Sequence, residues 1–415
     1  MKTTDFYPRY LRPRVMDALA DSPVVLIHGP RQCGKTTLAR QVGNDEGFVY
    51  LSFDDDVQRA AAQADPVGYV ADLPERVILD EVQRVPELFT SLKAAVDARR
   101  NPGRFILTGS ANVLLVPRLA ESLAGRMEIL RLHPLAQVEL AREAVDFLPM
   151  LFKSEFKSGA VGRRLGRDLV DLMTAGGYPA ALSRATPRRR AAWYRDYSET
   201  LVQRDIRDLA RIHLMDGLPR LLTLAAGQTA RLLNVSDLAA PFQVSRPTMR
   251  QYLTLLSRIF LLEELLPWYS NRMSRLIKTP KLHMGDAGLV CALLGLDADS
   301  LWRDRLLFGQ ILETFIYQEL RRQASWQEEP VSFSHFRDKD KVEVDFVLES
   351  HGKLAGIEVK ASSTVTNEDF KGLHKLQHAV QQRFASGVVL YDGEAAVSFG
   401  NNLYAVPIST LWEKI

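Results

Sequence analysis

The chain has 415 residues, 46% hydrophobic and 25% charged, a composition that excludes wholesale disorder and allows roughly two to four domains, each with its own core. A formal net charge of +3 does not announce a nucleic-acid binder. The two cysteines, Cys33 and Cys291, make no disulfide framework, no window approaches about eighteen uninterrupted apolar residues, and the N-terminus lacks a signal-peptide core, so a cytoplasmic protein without membrane contact is expected.

Apolar runs at 24–28, 48–52, 76–80, 104–108 and 127–131 alternate with helical or polar stretches, which predicts a parallel sheet with helices on both faces. Directly after the first run stands "GPRQCGKTTLAR", where Gly29, Gly34, Lys35 and Thr36 fit G-x-x-x-x-G-K-[ST] between a strand and a helix. Gly29, Pro30, Arg31, Gln32, Cys33, Gly34, Lys35, Thr36 and Thr37 are therefore expected to hold ATP. The glycines let backbone N–H groups close round phosphate oxygens, and the helix N-terminus adds a favourable dipole. Lys35 reaches the β- and γ-phosphates, and the Thr36 hydroxyl ligates Mg²⁺.

The third run ends in Asp80-Glu81. Asp80 is assigned to the metal and Glu81 to the base that activates the attacking water. After the fourth run, Thr108, Ser110 and Asn112 open onto the same face of the sheet. Thr108, taken as the last residue of its strand, is the expected sensor of phosphate state. Arg126 lies too far along the chain to serve its own site and suits an arginine finger on a neighbouring subunit's γ-phosphate. The plain alternative is a surface ion pair with Glu128.

Residues 15 to 140 resemble the AAA+ branch of P-loop ATPases. The phrases "VVLIHGPRQCGKTTLAR", "VILDEVQ", "LTGSAN" and "LAGRMEILRLHPL", continued by "GGYPAAL" (176–182) and "ETLVQRDIRDLARI" (199–212), resemble one prokaryotic family of AAA ATPases that carries a C-terminal domain of unknown function. The resemblance covers nearly the whole chain. It implies an ATPase that works as a ring, here expected to be a homo-oligomer of hexameric type. It also implies a helical lid, from which Arg204 or Arg207 reaches the phosphates; pairing with Asp205 and Asp208 on the helix surface is the alternative. Lys153, Lys157, Arg163, Arg164 and Arg167, followed by Arg188-Arg189-Arg190, suit either a solvated face or a phosphate-contacting surface.

Residues 229–270 read as helix-turn-helix: a short helix from Val235 to Ala240, a turn at Pro241-Phe242, and a second helix from near Ser245 with Pro247 in its first turn. Met249, Leu253, Leu256 and Ile259 keep one face for packing. Arg246, Thr248, Arg250 and Gln251 face outward and are the candidate DNA contacts, and the chain that follows suits a β-wing. Protein contact is the alternative use of such a unit.

In "FGQILETFIYQEL", helical spacing buries Ile311, Phe315 and Leu320 and leaves Glu313 near the helix start. "VSFSHFRDKDKVEVDFVLE" reads as a hairpin with Asp345 in its second strand, and "LAGIEVKAS" puts Glu358 and Lys360 on one face of a third. Carboxylates at Glu313, Asp345 and Glu358 can bind Mg²⁺ or Mn²⁺, with Lys360 orienting water or neutralising charge, which is equipment for phosphodiester hydrolysis. The set resembles the D-x(n)-E-x-K core of restriction-endonuclease-like nucleases, including archaeal Holliday junction resolvases. A nuclease fold retained only for binding is the alternative.

The expected fold is α/β: an AAA+ P-loop parallel sheet at 1–133, a helical lid at 134–225, a winged helix at 226–285 and a restriction-endonuclease-like α/β domain at 286–415. The expected function is an ATP-driven motor on DNA, including branched DNA such as Holliday junctions, with a metal-dependent C-terminal nuclease. The competing reading is a nucleotide-dependent switch or scaffold in defence or stress signalling, whose nuclease-like domain is silent.

Overall fold

The computed structural model describes residues 6–110, 123–209, 217–268, 279–338 and 340–414. Asn112 and the side chain of Arg207 lie outside the described residues.

Five parallel strands make the N-terminal sheet: β1 (Val24–His28), β2 (Val49–Ser52), β3 (Val77–Asp80), β4 (Phe105–Gly109) and β5 (Met127–Arg131), in the order β2-β3-β4-β1-β5. All of β1, β3 and β4 is buried, as the continuous apolar runs require when helices cover both faces. Strand alternation divides the residues between two cores. Val25, Ile27, Ile78 and Ile106 meet α1 (Arg12–Asp21) and α2 (Lys35–Glu46), while Leu26, Leu79 and Leu107 meet Phe89 and Leu92 of α3 (Leu88–Ala98). This is the P-loop ATPase fold. β4 runs one residue further than its apolar stretch, to Gly109, so Thr108 lies just inside the strand rather than at its end.

A long helix, α4 (Pro187–Leu209), follows. Then come α5 (Leu218–Gly227), β6 (Arg231–Leu232), α6 (Val235–Ala239), α7 (Arg246–Arg258), β7 (Leu262–Leu265) and β8 (Lys281–Met284). The three strands pair antiparallel in the order β6-β8-β7. The Ser245 hydroxyl accepts from the Thr248 N–H and caps α7. Met249, Leu253, Leu256 and Ile259 are buried as their spacing requires.

The C-terminal part opens with α8 (Ala287–Leu293) and the 20-residue α9 (Arg305–Ala324). It continues through β9 (Ser332–Arg337), β10 (Glu343–Ser350), β11 (Lys353–Lys360), α10 (Lys371–Val380), β12 (Phe384–Tyr391), β13 (Val397–Gly400) and β14 (Leu403–Pro407). These form a six-stranded mixed sheet of order β13-β14-β12-β11-β10-β9. Glu313 lies in the middle of α9, not near its start, because Asp304 caps the helix upstream by accepting from the Leu307 N–H at 3.0 Å.

One cluster of buried side chains, from Ala136 to Trp412, runs through α4, α5, α7, α8, α9 and the C-terminal sheet. The expectation of a separate core for each domain is corrected here: the N-terminal sheet has its own, and much of the rest shares one. The Gly176-Gly177 turn ties this part together. The Gly177 N–H donates to Asp286 at 2.9 Å, its carbonyl accepts from Leu135, and Arg322 reaches Asp286, Glu319 and the Leu135 carbonyl. A Cβ on Gly176 would stand 2.0 Å from the Tyr194 hydroxyl oxygen. No helix among the described residues is long and apolar enough to cross a membrane.

Candidate nucleotide site and a second carboxylate cluster

Beyond β1 the chain turns at Gly29, where a Cβ would stand 2.1 Å from the Leu132 carbonyl oxygen; no other residue fits. Gly34, at φ 103, closes the loop and leads into α2. Lys35 is 5% exposed, and its ammonium donates to the Pro30 carbonyl at 2.8 Å. The Thr36 hydroxyl donates to Asp80 at 3.0 Å, and the Tyr50 hydroxyl donates to the same carboxylate at 2.7 Å. These oxygens suit Mg²⁺, which takes oxygen ligands, so the residues at this site fit the metal and the nucleotide.

Thr108 donates to Asp80 and accepts from the Glu81 N–H at 3.2 Å. It thus joins the two acids instead of standing free toward a phosphate. Glu81 adopts φ 58, a strained conformation of the kind that collects at functional sites. It accepts from Ser110 at 2.7 Å and from Gln83. Burial pushes the Glu81 carboxyl up, but Lys35, Ser110, Gln83 and Arg31 together hold it below the usual range. The carboxylate is therefore ionised at neutral pH and able to accept a proton.

Two supports escaped the sequence reading. Arg9 donates to the Cys33 and His133 carbonyls, each at 2.6 Å, and to Glu139 at 3.1 Å, propping the loop from beneath; no motif marks it. From α4, Asp205 accepts from Arg31 at 2.7 Å and the Tyr197 hydroxyl donates to the Arg31 carbonyl at 3.1 Å. Arg204 is exposed and lines a cleft of about 230 Å³ between α4 and the loop, with Arg31 and Gln32. Asp205, one of the two acids offered as helix-surface partners for Arg204 or Arg207, is buried and pairs with Arg31.

Arg126 forks onto Asp97 of α3 at 2.6 and 3.0 Å, while Glu128 pairs with Arg14 at 3.5 Å. An ion pair was one expectation, but its partner is Asp97, not Glu128. The register Val24↔Met127 places Arg126 at the end of the sheet opposite the loop. Three members of the basic run are paired: Arg163 with Glu413 and Asp168, Arg164 with Asp392, and Arg167 with Asp299.

Glu313, Asp345, Glu358 and Lys360 come together in the C-terminal part, but a further residue stands among them. Lys281, the first residue of β8, is 3% exposed and puts its ammonium 2.8 Å from Glu313 and 3.0 Å from Asp345. The second Asp345 oxygen accepts from the Val359 N–H at 3.0 Å, and Lys360 donates to Glu358 at 3.0 Å. Burial pushes the Glu313 and Glu358 carboxyls up, with Asp345 adding to both. Burial alone would lower the Lys281 ammonium, but Asp345 and Glu313 overcome it and hold it charged.

A divalent ion does not fit this arrangement, because the lysine occupies the space between the two acids. No group of three His, Cys, Asp or Glu side chains among the described residues is gathered to hold a metal. In this arrangement Glu313 and Asp345 are held by Lys281 and Glu358 by Lys360, rather than gathered round a metal. Lys281 falls in the stretch expected to form the wing, and no local motif marks it.

On α7, Arg246 and Gln251 are exposed as expected. Thr248 is half-buried and engaged with Ser245, and Arg250 pairs with Glu264 of β7 at 3.0 Å. Of the four residues expected to face outward, Arg246, Arg250 and Gln251 are exposed and Thr248 is not.

In chain order, residues 21–141 match an AAA domain, 166–300 a domain of unknown function (DUF8612) and 308–411 another domain of unknown function (DUF4143). The chain is 30% identical over 397 residues to Uncharacterized protein Rv2008c of Mycobacterium tuberculosis, covering 95% of this chain and 82% of that protein. The same figures hold for Uncharacterized protein Mb2031c of Mycobacterium bovis. Among solved structures, the walker-type ATPase PABY2304 of Pyrococcus abyssi aligns with a TM-score of 0.45 at 16% identity, over 70% of this chain and 97% of that one. The RuvB Holliday junction branch migration motor of Thermotoga maritima aligns with a TM-score of 0.28 at 18% identity, over 61% and 88%. At those scores neither structure bears on what this chain does.

Proposed function

The chain belongs to the family of its mycobacterial relatives and carries an AAA domain of the P-loop type at residues 21–141, and from that premise we propose that it converts ATP hydrolysis into work on DNA through α7. The observation that carries the DNA part is the division of that helix: Met249, Leu253 and Leu256 fix one face in the core while Arg246 and Gln251 stay open to a groove. The order helix, strand, helix, helix and hairpin from α5 to β8 suits a winged helix.

In the ATP site, Gly29 to Thr37 cradle the phosphates, Lys35 turns from the Pro30 carbonyl to the β- and γ-phosphates, and Thr36 and Asp80 hold Mg²⁺. Bound there, Mg²⁺ supplies charge neutralisation at the phosphates. Glu81 accepts the proton of the attacking water, held in place by Ser110 and Gln83. Thr108 keeps Asp80 and Glu81 in mutual register. Arg31, tied to Asp205, carries the state of the loop to α4. A ring of six in which Arg126 serves the neighbouring site belongs to the same reading and requires Arg126 to leave Asp97.

A second reading has a specific observation in its favour. Lys281 bridges Glu313 and Asp345, two of the acids expected to hold a nuclease metal, which supports a C-terminal unit of restriction-endonuclease-like architecture that engages nucleic acid or protein without cutting. The test of the main proposal pairs ATPase assays with DNA binding across a salt series. Lys35→Ala is expected to abolish hydrolysis, and the wild type to lose DNA affinity steeply as salt rises, because phosphate contacts release counterions. Absence of any salt-dependent DNA binding would leave a nucleotide switch that works on a protein.

A further inference from the structure

The carboxylate cluster is built from elements far apart in the chain: Glu313 from α9, Asp345 from β10 and Glu358 from β11, with Lys281 arriving on β8 of the small three-stranded sheet. The lysine bridges Glu313 and Asp345 at hydrogen-bond distance and is almost wholly buried. Two polar atoms facing the cluster have no hydrogen-bond partner. One is Glu358 Oε2; the other is Nε2 of the fully buried His283, two residues along β8 from Lys281, 4.0 Å from Glu313. A lysine ammonium offers three donors and a single charge. It satisfies Glu313 and Asp345 and leaves Glu358 Oε2 and His283 Nε2 unanswered, whereas a divalent ion could draw on the three carboxylates and, in the tautomer with a bare Nε2, on His283 as well.

We propose that Lys281 is the resident cation of this cluster: it stands in the seat of a divalent metal, holds the acids together and closes the site to metal. The proposal rests on reading the cluster as a nuclease-type metal site. A metal ion placed beside the ammonium would meet a like charge in a dry pocket, where repulsion is far stronger than in water. The cluster takes a metal when Lys281 is withdrawn, and withdrawal means moving β8 relative to α9 and β10. Glu264, opposite Leu282 in the adjoining strand, pairs with Arg250 of α7, so the element proposed to meet DNA is linked to the strand that carries the lysine.

The experiment is Mn²⁺ binding to the nucleotide-free full chain, followed by electron paramagnetic resonance, for the wild type, Asp345→Asn, Lys281→Met and the double variant. The wild type and Asp345→Asn are expected to bind Mn²⁺ alike. Lys281→Met, its fold checked by circular dichroism, is expected to gain one ion per chain, bound at least about tenfold more tightly than any wild-type C-terminal binding, and the double variant to lose it. Lys281→Gln serves as the second variant should the methionine not fold. Mn²⁺ bound by the wild type and lost in Asp345→Asn would overturn the lysine's exclusion of metal and leave the nuclease-type reading standing. A folded Lys281 variant that gains no ion would overturn both. Even if neither lysine variant folds, Mn²⁺ lost on passing from the wild type to Asp345→Asn would still overturn the proposal.

Discussion

Glu81 is the residue on which hydrolysis turns. Its charge is kept by Lys35 and Arg31 against the pull of burial, and its direction is set by Ser110 and Gln83. Glu81→Gln keeps the shape and loses the base, so ATP binding should persist while kcat falls by roughly 10²–10⁴-fold. Nucleotide titration beside single-turnover hydrolysis checks this; equal turnover in the variant would remove Glu81 from the role. At this scale the sequence was informative where chemistry and chain position coincide. Lys35, Thr36 and Asp80 follow from a strand, a turn and a helix start. Lys281 does not, because its partners lie 32 and 64 positions away, and nothing local distinguishes it from a surface lysine. Arg9 stayed hidden for the same reason.

At the scale of single elements, α7 was readable from Ser245 as cap, Pro247 in the first turn and the buried stripe. The outward set was readable at Arg246, Arg250 and Gln251 but not at Thr248, which belongs to the cap. Arg246→Ala should therefore weaken DNA binding about equally across sequences and lower the salt slope by about one, measured by fluorescence anisotropy at several salt concentrations. An unchanged slope would take Arg246 out of the interface. The hairpin β9–β10 was legible from its turn residues, whereas the start of α9 was not, because Asp304 precedes the apolar pattern that announces the helix.

For the whole molecule, the contact of the ATPase sheet with the rest includes aromatic packing, Tyr10 on Trp326 and His28 on Phe260, and one buried electrostatic junction. Glu263 of β7 lies between Arg131 at the end of β5 and Arg321 of α9, so three units meet on one carboxylate. Burial pushes it up, but Arg131 and Arg321 bring it down to about 2, against an ordinary value of 4.5. A carboxyl lowered in the folded state stabilises fully above its unfolded pKa and loses that contribution as pH falls through the folded one. Glu263→Gln should thus cost about 3–5 kcal/mol near neutral pH, with two arginines left unpaired. Its stability should also fall less than the wild type's between pH 4.5 and about 2. Urea unfolding at three pH values checks both, and parallel curves would assign the pair no part in acid sensitivity. No pattern in the sequence foretold this junction, because propensity and periodicity report on one segment at a time.

The placement of Lys281 also bears on how such a chain is divided and recombined. A cut anywhere between Met284 and Arg305 leaves the lysine on one piece and the acids on the other. One fragment then buries an ammonium without its acids, and the other gathers carboxylates that repel one another. The two stretches therefore act as a pair: a fusion or exchange that brings in the C-terminal sheet without β8 carries across a different chemical object, one whose acids must find another cation.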